Sequence, residues 1–255
     1  KEYRKFYLGD IDFNKGLQHY SNLTNGQSIY QPLMHIEGLW KIVFLDIFRE
    51  IASKYFGKKS KLGFVKIRKY FVNDLPLYDT NYFHYDDNSS NLLKAIILLN
   101  DINEQTGGSF VYVKGSHKDL MGKTSEGSKY ARTDSEIISH YGEQRIINIY
   151  AKAGDVIFAN TLGIHKGEKP KSLDRNICFI NFVIEEEYGG SGIKLKIPKK
   201  YYNYLIKSNA PTIIDVGSNT GQSIEEFSKI FKKPTIHAFE PQEDCYKILR
   251  KKFKK

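Results

Sequence analysis

The sequence predicts a mainly β protein with helical cover, either a barrel or a sandwich, and three observations lead to that class. Several short apolar runs of strand length, some alternating with period two, are separated by Gly-containing turns. One long amphipathic segment, Glu37 to Tyr55, precedes them. A chain of 255 residues that is 40% hydrophobic and 14% aromatic has enough apolar material for a full core.

Residues 1–35 are polar and aromatic, broken by Gly9, Gly16, Gly26 and Pro32, and read as short helices and loops. Between Glu37 and Tyr55, the residues Trp40, Val43, Phe44, Ile47, Phe48, Ile51 and Tyr55 recur at helical spacing and form one apolar face. Gly57 then supplies the stop. Leu62 to Val72 alternates as a strand, with Val65, Ile67 and Phe71 on one face and Lys66, Arg68 and Tyr70 on the other. That polar face either lines a pocket or meets solvent. After a loop through Pro76 comes a strand across Asn81–Asp87, and Asn91 to Leu99 is a buried strand. Lys94 inside it either meets an anion, such as a cosubstrate carboxylate, or snorkels to the surface. Ser109–Val113, Arg145–Ala151, Val156–Ala159 and Asp174–Val183 are further strands. Asp119 to Gly142 reads as a long polar loop, a candidate lid carrying Tyr130, Arg132 and Tyr141 towards substrate.

The chemistry centres on His84-Tyr85-Asp86. Residues two apart share a strand face, so imidazole and carboxylate stand side by side. Alone, such a pair is also what an ordinary surface strand carries. His165 would complete a two-His, one-carboxylate set, the facial arrangement that leaves open positions on iron(II). Arg175, opening the strand after His165, suits a two-pronged contact with a carboxylate. His19, His35, His140 and His237 read as ordinary polar or packing residues.

In order, His84-x-Asp86, Gly107-Gly108, Gly115-Ser116-His117, Gly154-Asp155, His165 and Arg175 resemble the phytanoyl-CoA dioxygenase family over roughly residues 60–185. The resemblance implies a double-stranded β-helix of the jelly-roll or cupin-like kind. It also implies a dioxygenase dependent on Fe(II) and 2-oxoglutarate, with His84, Asp86 and His165 as metal ligands and Arg175 as the 2-oxoglutarate anchor. His117 belongs to what looks like a structural turn of the family. Some relatives place a hydroxyl residue two positions after the second His to help hold 2-oxoglutarate; here that position is Gly167. Halogenating relatives replace the carboxylate ligand by a small residue, so Asp86 favours hydroxylation.

From Ala210 the pattern changes to strand, Gly-rich turn, helix, strand. Asp215-x-Gly217-x-x-x-Gly221 and Phe239-Glu240-Pro241 resemble motifs of FkbM-type S-adenosylmethionine (SAM) dependent methyltransferases. The resemblance implies that Asp215, Gly217, Gly221 and Glu240 form a vestigial SAM motif on a truncated Rossmann-like α/β fragment. SAM would then bind only in a complete downstream domain. The expected organisation is an oxygenase domain over 1–187, a linker over 188–209 and an incomplete methyltransferase-like βαβ fragment over 210–255.

From Lys194 to Lys255 there are fourteen Lys or Arg against six Asp or Glu, so most of the net charge of +10 sits in that segment. This is read as solvated surface rather than a nucleic-acid footprint. No signal peptide and no membrane-length apolar run is apparent, and two distant cysteines fit a reducing, cytoplasmic setting. The expected partner is a small-molecule or glycan-type substrate, including a lipid-linked biosynthetic intermediate. A non-catalytic β-barrel binding domain of a multidomain methyltransferase is the alternative. The oligomeric state is left open.

Overall fold

Two facing sheets form the first part of the molecule, because its strands bury one apolar face between them and helices cover the outside. The computed structural model describes residues 20–23, 26–30, 32–77, 79–86, 92–119, 121, 132–184, 202, 206 and 208–253. The chain divides into two compact units, Lys1–Lys196 and Ile197–Lys255.

In the first unit the larger sheet has six strands in the order β1 (Tyr20–Leu23), β2 (Gly26–Tyr30), β3 (Ser60–Tyr70), β9 (Arg175–Ile184), β4 (Leu92–Leu98) and β7 (Val156–Ala159). The smaller sheet runs β6 (Ile146–Ile149), β5 (Phe110–Val113) and β8 (His165–Gly167). Every pairing in both sheets is antiparallel. An isolated bridge from His84 to His165 extends the smaller sheet beyond β8. Tyr70, Ile96, Leu98, Phe110, Ala159 and Ile177 pack together between the sheets. This mainly β architecture with helices is that of a double-stranded β-helix.

Helix α2 (Asp46–Phe56) packs on the larger sheet, with Phe48 edge-on to Phe158 at 5.8 Å. Helix α3 (Asp134–Tyr141) buries Ile137 and Tyr141 against Phe83, Val111, Val113 and Ile164.

The expected long helix is two helices. α1 (Trp40–Val43) ends early, because Leu45 takes extended backbone (φ −60°, ψ 121°) and the chain restarts at Asp46, a carboxylate placed favourably in the first turn of α2. Gly57 closes α2 in the left-handed conformation at φ 64°, as expected. The expected lid contains α3. Its start was written in Thr133-x-x-Glu136, a reciprocal capping box in which Thr133 accepts from the Glu136 N–H and Glu136 accepts from the Thr133 N–H. Tyr141 is therefore a core residue, its hydroxyl tied to Asp119 O and Met121 N, and not one that reaches towards substrate. Arg132 pairs through its backbone with Phe83, and Tyr130 lies outside the described residues. The His-x-Asp stretch is not a regular strand either. Among its described residues, only Phe83 and His84 make bridges.

In the second unit β10 (Thr212–Val216) and β11 (Thr235–Phe239) pair in parallel, with the helix Gln222–Ile230 between them in sequence. The helix Glu243–Lys252 follows. Among the described residues, no helix is long and apolar enough to cross a membrane.

Both cysteines are free. Cys178 sits inside β9 with 1% exposure, and burial pushes its thiol up to about 12. Iodoacetamide at neutral pH is expected to modify the half-buried Cys245 of the native protein and to reach Cys178 only as urea unfolds the first unit. Peptide mapping checks this, and equal labelling of both thiols in the native state would contradict the buried position of β9.

Candidate metal centre

Three side chains from distant parts of the chain meet because two short segments share backbone hydrogen bonds. The His84 N–H donates to His165 O at 2.9 Å, and the His165 N–H donates to His84 O at 2.8 Å. This reciprocal pair sets the two rings side by side, with centroids 4.4 Å apart. The Asp86 N–H donates to Thr161 O at 2.8 Å and fixes the carboxylate beside them. One ligand atom from each of His84, Asp86 and His165 lies within 4.8 Å of the others, the spread of a metal-ion donor set.

The ring orientations suit a metal. Nδ1 of His84 faces Tyr82 O at 2.8 Å, and Nδ1 of His165 faces Gly163 O at 2.8 Å. A carbonyl only accepts, so each Nδ1 carries the proton and the lone pair of each ring is on Nε2. Burial, with His84 alongside, pushes His165 down to about 3, which keeps its imidazole neutral as a ligand must be. For Asp86, burial is the largest single influence and would raise the carboxyl, but the Lys94 ammonium at 2.5 Å, together with His165 and Thr161, holds the group well below the usual carboxylate range. Lys94 is 13% exposed. It meets an anion inside the protein instead of snorkelling, and that anion belongs to the protein itself.

The loop leading into His165 is held by Tyr112 and Ser116. The Tyr112 hydroxyl donates to Asn160 O at 2.9 Å. Any side chain at Gly163 would collide with it, since a Cβ there falls 2.0 Å from that hydroxyl oxygen. Ser116 Oγ donates to Val113 O and accepts from the Ile164 N–H at 2.7 Å. The Gly115-Ser116-His117 turn thus acts through its serine, and His117 is not part of the donor set.

Arg175 opens β9 directly opposite Tyr70 of β3. It is 2% exposed, and its Nε has no hydrogen-bond partner among the described residues. Two glycines make room for it. A Cβ at Gly108, where φ is +76°, would press on its aliphatic chain at 3.1 Å, and a Cβ at Gly167 would fall 2.5 Å from Nη1. The missing hydroxyl residue at 167 therefore has a steric reason. Asn81 Nδ2 donates to Gly167 O at 3.0 Å and pins this approach.

A cavity of about 280 Å³ collects these groups. It is lined by the three candidate ligands, by Lys66, Arg68 and Tyr70 of β3, and by Lys94 and Arg175, with Thr161, Ile96, Phe110 and Phe179 among the rest. Of the two readings of the polar face of β3, the pocket is the one observed. The roles of Gly108, Gly167, Tyr112 and Ser116 escaped the sequence reading. A serine or glycine inside a turn carries no mark of what will pack against it three strands away.

In the second unit, Asp215, Gly217 and Gly221 follow the path of β10 into its turn, with φ of 78° and 93° at the two glycines. Glu240 follows β11, and its carboxylate accepts from the Asn219 N–H at 2.6 Å and the Gln242 N–H at 2.8 Å.

Residues 74–177, which contain all three candidate ligands and Arg175, match the family model of phytanoyl-CoA dioxygenase (PhyH). No curated protein matches the sequence. Among solved structures, the chain is similar to the non-haem alpha ketoglutarate dependent epimerase SnoN from nogalamycin biosynthesis, at 14% identity over 77% of this chain and 85% of that one, with a TM-score of 0.55. SnoN in complex with Fe3+, alpha ketoglutarate and nogalamycin RO is similar at 14% identity over 77% and 86%, again with a TM-score of 0.55. HygX from Streptomyces hygroscopicus, with nickel, 2-oxoglutarate and hygromycin B bound, aligns at 16% identity over 72% and 78%, with a TM-score of 0.48. The likeness to SnoN shows a shared fold.

Replacing Gly167 by Ala is expected to displace the Arg175 guanidinium while leaving the donor set in place. Calorimetric titration of the Mn(II)-loaded variant should show metal affinity within about 2-fold of the parent and 2-oxoglutarate affinity lower by about 10-fold or more. Unchanged 2-oxoglutarate binding would show that the close approach has no consequence.

Proposed function

We propose that this Fe(II)/2-oxoglutarate-dependent oxygenase of the phytanoyl-CoA dioxygenase kind is a hydroxylase acting on a small molecule or a glycan- or lipid-linked biosynthetic intermediate. His84, Asp86 and His165 are its iron ligands and Arg175 holds the distal carboxylate of 2-oxoglutarate. The single observation that carries the reading is the convergence of the three ligand atoms and a buried guanidinium on one cavity. In a non-catalytic barrel nothing would keep such costly groups together in an apolar interior. The same small cavity supports a small-molecule or single-residue target, as does the likeness to SnoN, which is itself from nogalamycin biosynthesis. Retention of Asp86 supports hydroxylation over halogenation.

When bound, Fe(II) with 2-oxoglutarate would let dioxygen, the oxidant, attack an unactivated C–H bond, one oxygen atom entering the substrate and the other the succinate left when 2-oxoglutarate loses carbon dioxide. The chain's own residues do the positioning. Tyr82 O and Gly163 O fix the imidazoles, each proton staying on Nδ1. Lys94 keeps Asp86 ionised, and Arg175 sets the direction from which a carboxylate enters. Phe110, Phe179 and Ile96 give the cavity apolar walls that exclude water.

The second unit is read, by its resemblance, as the SAM-motif front end of a methyltransferase. The parallel β10–β11 pair, with the glycines and Glu240 at the carboxyl ends of the two strands, supports that reading. The reading is tested by measuring SAM binding with the 210–255 segment joined to a complete methyltransferase domain, and no binding at millimolar SAM would remove it.

Anaerobic addition of Fe(II) and then 2-oxoglutarate should give a visible charge-transfer absorption with the parent protein and none with His84→Ala. Mass analysis of converted substrate is expected to show a gain of one oxygen. Absence of the absorption band in the parent would overturn the iron and cosubstrate assignment, whereas a product of unchanged mass would overturn hydroxylation alone.

A further inference from the structure

The β3 wall of the cavity carries a second buried guanidinium. Arg68 and Tyr70 are two residues apart and so share a face of β3, and Tyr70 lies opposite Arg175 on β9 while Arg68 lies opposite Ile177. All of Arg68, Tyr70 and Arg175 line the cavity. The guanidinium carbon of Arg68 stands 4.5 Å from the centre of the Tyr70 ring, and that of Arg175 stands 5.1 Å from the same centre. Arg68 is 8% exposed and Arg175 2%.

Two like charges around one ring, removed from water, oppose each other. Burial works most strongly against the charge on Arg175; Tyr70 favours it, the nearby Arg68 opposes it, and Glu168 favours it to a smaller extent. The electron-rich ring face offsets part of this. A carboxylate offsets far more, since its two oxygens present about four lone-pair sites and can receive two guanidiniums at once. The other cations of the cavity are placed differently. Lys94 is engaged by Asp86, and Lys66 sits one further pair along β3, opposite Phe179.

We propose that Arg68 is a second guanidinium for the distal carboxylate of 2-oxoglutarate, acting with Arg175 beside the ring of Tyr70. The inference rests on the cosubstrate reading above and adds a residue to it. A two-guanidinium seat makes the distal carboxylate the main determinant of which 2-oxo acid is accepted.

The test uses the Mn(II)-loaded full chain and two metal chelators, 2-oxoglutarate, which has the distal carboxylate, and oxalate, which lacks that arm. Affinities are measured by calorimetry for the parent, Arg68→Met and Arg68→Lys, with thermal melts of each protein. Arg68→Met is expected to weaken 2-oxoglutarate by roughly 10- to 100-fold and to leave oxalate within about 2-fold, with partial recovery in Arg68→Lys. Unchanged 2-oxoglutarate affinity in Arg68→Met overturns the proposal, and so does an equal loss for both chelators, which would place the defect at the metal. Were Arg68 instead to hold an anionic substrate, only substrate affinity would fall, and the proposal would fail in that way too. A parent protein that binds Mn(II) but not 2-oxoglutarate overturns the cosubstrate reading itself, and this inference with it.

Discussion

One pair of backbone hydrogen bonds, exchanged between His84 and His165, decides whether this protein has a metal site at all. His84 has no strand of its own, and its position comes from the edge of β8. β8 is only three residues long, and its register depends on β5 and on the turn that Ser116 ties to Ile164. A disturbance at any of these points moves one imidazole relative to the other. Donor geometry here is a property of sheet pairing rather than of local sequence.

The electrostatics of the cavity follow the same economy of partners. An acid and a base meet at Asp86 and Lys94, so the carboxylate stays charged in an apolar enclosure. At the other end cations gather around Tyr70, and the fold tolerates them through ring contacts and through the space that Gly108 and Gly167 leave empty. The Asp86–Lys94 end is charge-balanced within the protein and the Tyr70 end is cationic, so the two ends differ in net charge.

Much of this was legible before any coordinates. Strand alternation placed Lys66, Arg68 and Tyr70 on one face, and spacing paired His84 with Asp86. The strand–helix–strand of the second unit was readable from the order of its apolar runs and Gly-rich turn. Other features were not. A helix long by periodicity broke at Leu45, because a periodic apolar face does not fix the backbone angle of one residue. α3 was hidden by a weakly periodic surround, although its capping box was plainly spelled. The destination of Lys94 depended on a residue eight positions away folding back over it, which no propensity describes.

The pairing of Asn81 with Gly167 spans 86 positions, and β9, which brings Arg175, closes against β3 from still further along the chain. Closure over such separations is slow and comes late in folding. A nascent chain therefore has no closed cavity until its last long strand has emerged and docked, because Arg175 and Phe179 of β9 complete the lining. Ligand occupancy becomes a report on completed folding, and any ligand that binds only the closed form raises the cost of opening it again.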